Sequence, residues 1–171
     1  AFSTPRLAEA LVDLLNAGPM PQVACTGQGG AGEILATYPL FAALSEKFDL
    51  EPGERSTLIN GSPCAAALVA DAAIAARRRL ELAQEVLALT IAAFGAPRAH
   101  YDPALGELWG GAHHRSAFQA LDALLGPIAE SGAQRGHQAP VGYRIVPAVL
   151  GHADWAVVQA EAIAATSLPA A

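Results

Sequence analysis

Basic charge is scarce in this chain. Ten of its 171 residues are lysine or arginine against 16 acidic ones, and the net charge is −6. Apart from Arg77-Arg78-Arg79 no basic tract exists, so nucleic acid, which needs a cationic face, is not an expected partner. Lys47 is the single lysine, which leaves Schiff-base chemistry one poor candidate. The two cysteines, Cys25 and Cys64, form neither a CxxC pair nor a zinc spacing. They read as reduced thiols of a cytoplasmic protein. No signal-peptide pattern opens the sequence, and the apolar run from Cys64 is broken by Asp71 and the triple arginine. Neither a leader nor a membrane span is expected. Segments of strand-like alternation are also nearly missing.

Apolar residues fill the space that charge leaves. They make up 53% of the chain, while charged residues are 15% against a usual quarter. One helical domain over residues 1–171 is expected. A domain of this size buries that much apolar surface with difficulty by itself. Association with copies of itself or with another chain is therefore expected.

Helical signals run along most of the length. Ser3-Thr4-Pro5 pairs a hydroxyl N-cap with proline in the first turn, Leu7, Leu11, Leu14 and Leu15 follow at helical spacing, and Gly18-Pro19 ends the run. A second helix is expected from about Glu33 to Lys47, kinked or split at Pro39. Asp49 to Asn60 reads as a connector with short extended pieces near Thr57-Leu58-Ile59. From Ser62-Pro63 an uninterrupted pattern reaches Phe94 and stops at Gly95 and Pro97. Such a helix spans about 50 Å. It is apolar nearly all round between Ala65 and Ala76, which places it inside a bundle. Its arginine cluster reads as a solvated turn with Glu81 and Glu85 as partners. Further helices are expected from about His113 to Leu125, and from Val146 or Gly151 to Thr166. The fold class is all-α, a bundle of long helices.

Between the first two helices lies Val23-Ala24-Cys25-Thr26-Gly27-Gln28-Gly29-Gly30-Ala31-Gly32-Glu33, with four glycines in six positions. Such a run is a loop, because each glycine costs a helix about 1 kcal/mol relative to alanine. Gly27-x-Gly29-x-x-Gly32 matches a dinucleotide fingerprint, with Asp49 near the right distance. That motif requires a preceding strand and βα alternation, and neither is present. The histidines His100, His113, His114, His137 and His152 have no metal-site spacing, and no serine sits in a nucleophile elbow. No metal and no cofactor is expected. Arg144 lies in the otherwise uncharged stretch Gln138 to Pro147. An arginine there serves a protein carboxylate in a structural ion pair or a ligand's anion. Asn60 before Gly61 serves a turn or a ligand.

Taken together, these segments resemble the aromatic amino acid ammonia-lyases and aminomutases, the histidine and phenylalanine ammonia-lyase family. Leu14-Leu15-Asn16-Ala17-Gly18 with Pro21-Gln22-Val23 is similar to the family's LLN-x-G-x-x-P-x-V entry, and Gly27 to Ala36 falls on its GSVGASGDLA loop. Leu58-Ile59-Asn60-Gly61 matches LxNG, and Tyr101-Asp102-Pro103 resembles an FDP or YDP segment. Gln138 to Pro147 fits QDxYSxRxxP, and Ala164-Ala165-Thr166 with Pro169 echoes NAATDNP. The similarity keeps its order over about residues 7 to 169. It implies a bundle of long helices, usually a tetramer whose active sites draw on several subunits. The family's N-terminal tyrosine base and its C-terminal third have no counterpart in these residues, so a shortened member is expected.

One departure bears on chemistry. In the family the Ala-Ser-Gly triplet of the loop cyclises and dehydrates to an electrophilic methylideneimidazolone. Here the triplet is Ala31-Gly32-Glu33, and glycine has no β-carbon to become the methylidene. The resemblance then implies a carboxylate pocket with Arg144 on the acid group and Asn60 and Gln138 as hydrogen-bond partners. Glu33 stands where the electrophile would form. Desolvated, it suits acid or base work, with Tyr143 or Tyr38 as second proton-transfer group; equally, it begins a helix whose dipole favours it. The expected activity is elimination, isomerisation or cyclisation on a hydrophobic carboxylate in biosynthesis. The alternative is a non-catalytic subunit that binds a small ligand or completes a lyase-like partner's site.

Overall fold

Caps and breakers in the sequence mark out most of the helices found in the computed structural model, which describes residues 3–23, 34–60, 63–128 and 138–170. Every regular element among them is helical: α1 (Pro5–Asn16), α2 (Ile34–Ser45), α3 (Pro52–Ile59), α4 (Pro63–Phe94), α5 (Pro103–Trp109), α6 (Ala112–Leu125), α7 (Val141–Arg144) and α8 (Val146–Ser167). Short 3-10 turns occupy Arg98–Tyr101 and Leu168–Ala170. The fold is all-α, and the described residues contain no strand for a dinucleotide-binding unit. The glycine loop itself lies outside them.

Contacts gather the chain into two compact units, Ala1–Leu68 with Thr166–Ala171, and Val69–Ala165. The first holds α1, α2 and α3. The Thr4 side chain caps α1 by accepting the Leu7 N–H at 3.3 Å, and its hydroxyl donates to Glu54 of α3. Buried Glu54 also accepts the Glu51 N–H at 3.0 Å. The Thr4 hydroxyl, followed by that N–H, holds the Glu54 carboxyl below its ordinary range. Arg6 lies over the Phe48 ring at 4.4 Å, a cation–π contact.

Two expectations for this unit are corrected. The 49–60 stretch, expected as a connector with short extended pieces near Thr57-Leu58-Ile59, instead contains α3, with Pro52 in its first turn and a carboxylate partner at Glu54. Pro39 does not split α2, which runs through it. This interior proline removes one ladder bond, and the helix continues on the bonds either side of it.

The second unit contains residues 69–94 of α4, then α5, α6, α7 and α8 as far as Ala165. Leu80, Ala88 and Ile91 of α4 meet Ala117, Leu121 and Leu125 of α6 and Val146, Leu150 and Val157 of α8 in one core, with Tyr101 inside it. These positions recur at three-, four-, seven- and eight-residue steps, the period that keeps side chains on one helix face. Gly95 ends α4 at φ 72°, with Ala96 N–H on the Ile91 carbonyl at 3.1 Å and Gly95 N–H on Ala92 at 3.0 Å. That is a Schellman cap, and its left-handed residue favours glycine. A β-carbon at Gly106 would come within 3.1 Å of the Arg115 Cα, so glycine there permits close packing of α5 on α6.

The arginine cluster behaves differently from expectation. Arg77 does not serve Glu81 or Glu85. Its guanidinium grips Glu161 through Nε and Nη2 at 2.9 Å each and Asp154 through Nη1 at 2.6 Å, both on α8. His113 Nδ1 approaches the other Asp154 oxygen at 2.6 Å. Burial pushes the Asp154 carboxyl up, but bonds from His113 and Arg77 outweigh it and hold the group low. Arg77 likewise holds Glu161 below its usual range, and both carboxylates push the guanidinium further up.

Many apolar side chains remain uncovered. Leu68, Ile74, Leu82, Val86 and Leu89 of α4 and Val149, Trp155 and Ile163 of α8 are exposed. An 18-residue window within Pro52–Phe94 is long and apolar enough to cross a membrane by composition, and 12% of it is buried.

Candidate functional site

The segment from Gln138 to Pro147 is built as a presented turn. Pro140 takes an extended conformation at ψ 150° and caps α7, its carbonyl accepting the Tyr143 N–H at 2.9 Å. Ile145 passes the chain into α8, where Pro147 falls in the first turn and loses no ladder bond.

Two residues of the Arg98–Tyr101 turn hold this segment from behind. The Ala139 N–H donates to His100 Nε2 at 3.4 Å. Tyr101 donates its hydroxyl to the Tyr143 carbonyl at 3.1 Å. Its ring is among the most buried side chains, and burial, then the nearby Tyr143, pushes its pKa from 10.0 up to about 12. The Tyr143 ring stacks on Phe94 with centroids 4.3 Å apart and planes at 20°. Stacking of this kind fixes the ring's orientation.

With its backbone held on the inner side, the segment turns Arg144 outward. The guanidinium is exposed and pairs with no carboxylate among the described residues. Gln138 is exposed and Tyr143 half-buried, so these three candidates share one short stretch of the second unit. Tyr38 and Asn60 belong to the first unit. Tyr38 is 64% exposed on α2. Asn60 ends α3 and spends its amide donor on the Ser56 carbonyl at 2.6 Å and hydroxyl at 3.2 Å. Glu33 lies outside the described residues. The depression beside α1 and α2, lined by Asp13, Leu14, Leu44, Lys47 and Phe48, contains none of the candidates.

The anchoring roles of His100 and Tyr101 are not apparent from the sequence pattern. The usable signal was Tyr101-Asp102-Pro103, where Asp102 caps α5 by accepting the Ala104 N–H at 2.9 Å and so fixes the end of the anchoring turn. The groups here can bind an anion and transfer protons. No group of three or more metal-ligating residues occurs among the described residues.

A sequence model of the aromatic amino acid lyase family matches residues 36–171. That span includes Tyr38, Asn60, Gln138, Tyr143 and Arg144 and begins after Glu33. No curated protein and no solved structure matches the chain.

Proposed function

The chain belongs to the aromatic amino acid lyase family, and on that premise we propose that it binds a hydrophobic small-molecule carboxylate through Arg144 and acts on it by proton transfer. The observation that carries the reading is an exposed arginine with no counter-ion among the described residues, on a segment anchored at Ala139 and Tyr143. A guanidinium offers a carboxylate a planar, charge-assisted fork. Gln138 adds a hydrogen-bonding amide in the same stretch.

The methylideneimidazolone does not fit this chain. Its methylidene carbon derives from a serine side chain, and Gly32 has none. The chemistry left is acid–base: one group removes a proton from carbon while a second returns one to the departing or receiving atom. Glu33 and Tyr143 take these roles, with Tyr38 as the alternative to Tyr143. Because family sites are shared between subunits, residues of the first unit act in an assembly, either of identical chains or with a lyase-like partner. The engagement of Asn60 by Ser56 favours a second reading, a subunit that binds ligand without turning it over.

Calorimetric titration with trans-cinnamate and L-phenylalanine tests the proposal. Arg144→Gln is expected to bind about ten- to a hundredfold more weakly, the worth of one charge-assisted hydrogen bond. Binding that ignores the substitution contradicts it. Turnover of the bound compound that disappears in Glu33→Gln separates the catalytic reading from the binding one.

A further inference from the structure

His114 and His152 stand 38 positions apart in sequence, so no spacing rule connects them. In the fold, α6 and α8 bring His114 Nε2 to 3.3 Å from His152 Nδ1. Their rings meet edge-on, with centroids at 4.8 Å and an interplanar angle of 81°. The His114 ring is seated by its surroundings. Trp109 stacks on it at 5.3 Å and 22°. A β-carbon at Gly111 would come within 2.8 Å of His114 Nδ1, and one at Gly151 would lie 2.8 Å from Cδ2 and 3.0 Å from Cα. Glycine at both positions therefore leaves room for the ring where a larger residue would displace it.

We infer that His114 and His152 form a binding site for a divalent first-row transition ion, Zn2+ or Cu2+, which clips α6 to α8. Two nitrogens each ~2.05 Å from a tetrahedral zinc lie about 3.3 Å apart, the separation found here. Imidazole nitrogen suits both ions, and copper binds the tighter of the two. Without a metal, the two nitrogens lie within hydrogen-bonding distance of each other, and a proton on His152 Nδ1 also reaches the Ala148 carbonyl at 2.9 Å. To bind the ion both facing nitrogens present a lone pair, so a proton on either of them moves to the far nitrogen of its own ring and each imidazole stays neutral. Water fills the remaining positions, because the neighbouring carboxylate of Asp154 is engaged by Arg77 and His113. The other described histidines are committed elsewhere, His113 to Asp154 and His100 to the Ala139 N–H. The site is separate from Arg144 and does not depend on the proposed carboxylate binding.

Trp109 supplies the readout, since Cu2+ bound at His114 quenches a stacked indole. In a Trp155→Phe background, titration of the full chain with copper chloride is expected to quench Trp109 with saturation at one equivalent. His152→Ala, on the exposed face of α8, weakens that response about tenfold or more, whereas His100→Ala, at the Ala139 N–H, leaves it unchanged. Calorimetry with zinc chloride on His114→Ala, with helicity checked by circular dichroism, gives the same loss independently of the indole. The inference is overturned if the parent shows no saturable response, or if His152→Ala titrates like the parent.

Discussion

Arg144 faces solvent because the residues around it are tied down on the inner side. The tie nearest to it is Tyr101, whose hydroxyl donates to the carbonyl of Tyr143. Removing that donor in Tyr101→Phe leaves a carbonyl short of a partner, at about 1 kcal/mol, and thermal melting should fall by about 2–4 °C. The phenol also carries a pH signature. A group whose folded pKa is raised contributes stability that is complete below its unfolded value and is lost as pH rises through the folded one. Wild-type stability should therefore decline between about 10 and 12, the ordinary and folded values for Tyr101. In Tyr101→Phe that alkaline component should be missing, and chemical denaturation across this range measures it. An identical alkaline decline in both proteins would contradict the assignment. In the sequence, Arg144 stood out because charge is so sparse around it. Its anchors did not, because a buried tyrosine and a histidine acceptor leave no spacing pattern.

Among the elements, α4 and α8 are bound by the Arg77 fork. Its partners lie 77 and 84 positions away, which is why an (i, i+4) reading toward Glu81 and Glu85 failed. Helices α1, α4, α6 and α8 were legible from caps, breakers and periodicity, down to Phe94 as the last residue of α4. Helix α3 was not, since Pro52-Gly53 reads as a connector, while its stabilising contacts come from the Glu54 carboxylate and from Thr4. The fork carries a prediction for Arg77→Met. Carboxylates with depressed folded pKa values contribute stability that is complete above their unfolded values, here near 3.8 and 4.5, and is lost as pH falls through the folded ones. The variant should show a lower urea midpoint at neutral pH, and the gap from wild type should close as the pH drops below about 4. A gap that stays constant into acid would show that Asp154 and Glu161 do not act through Arg77.

At the scale of the whole molecule, composition and fold agree in leaving apolar surface uncovered. Placing all of α4 inside a bundle, as its composition implied, is not achieved by one copy of this chain: Leu68, Ile74, Leu82 and Leu89 remain exposed. Isolated exposed apolar residues are ordinary, but a series along two long helices is the pattern expected of a surface that associates. Membership of the lyase family favours another chain, and detergent-independent assembly is the expected behaviour. The proposed chemistry rests on position 32, where glycine offers no carbon for the family's electrophile. Native mass spectrometry reads both properties at once, since it weighs the assembly and then the chains it releases. The expected result is a complex of more than one chain in which the released copies have their unmodified mass of 17.5 kDa. A copy lighter by the water lost on cyclisation and dehydration, or a lone monomer, would contradict it.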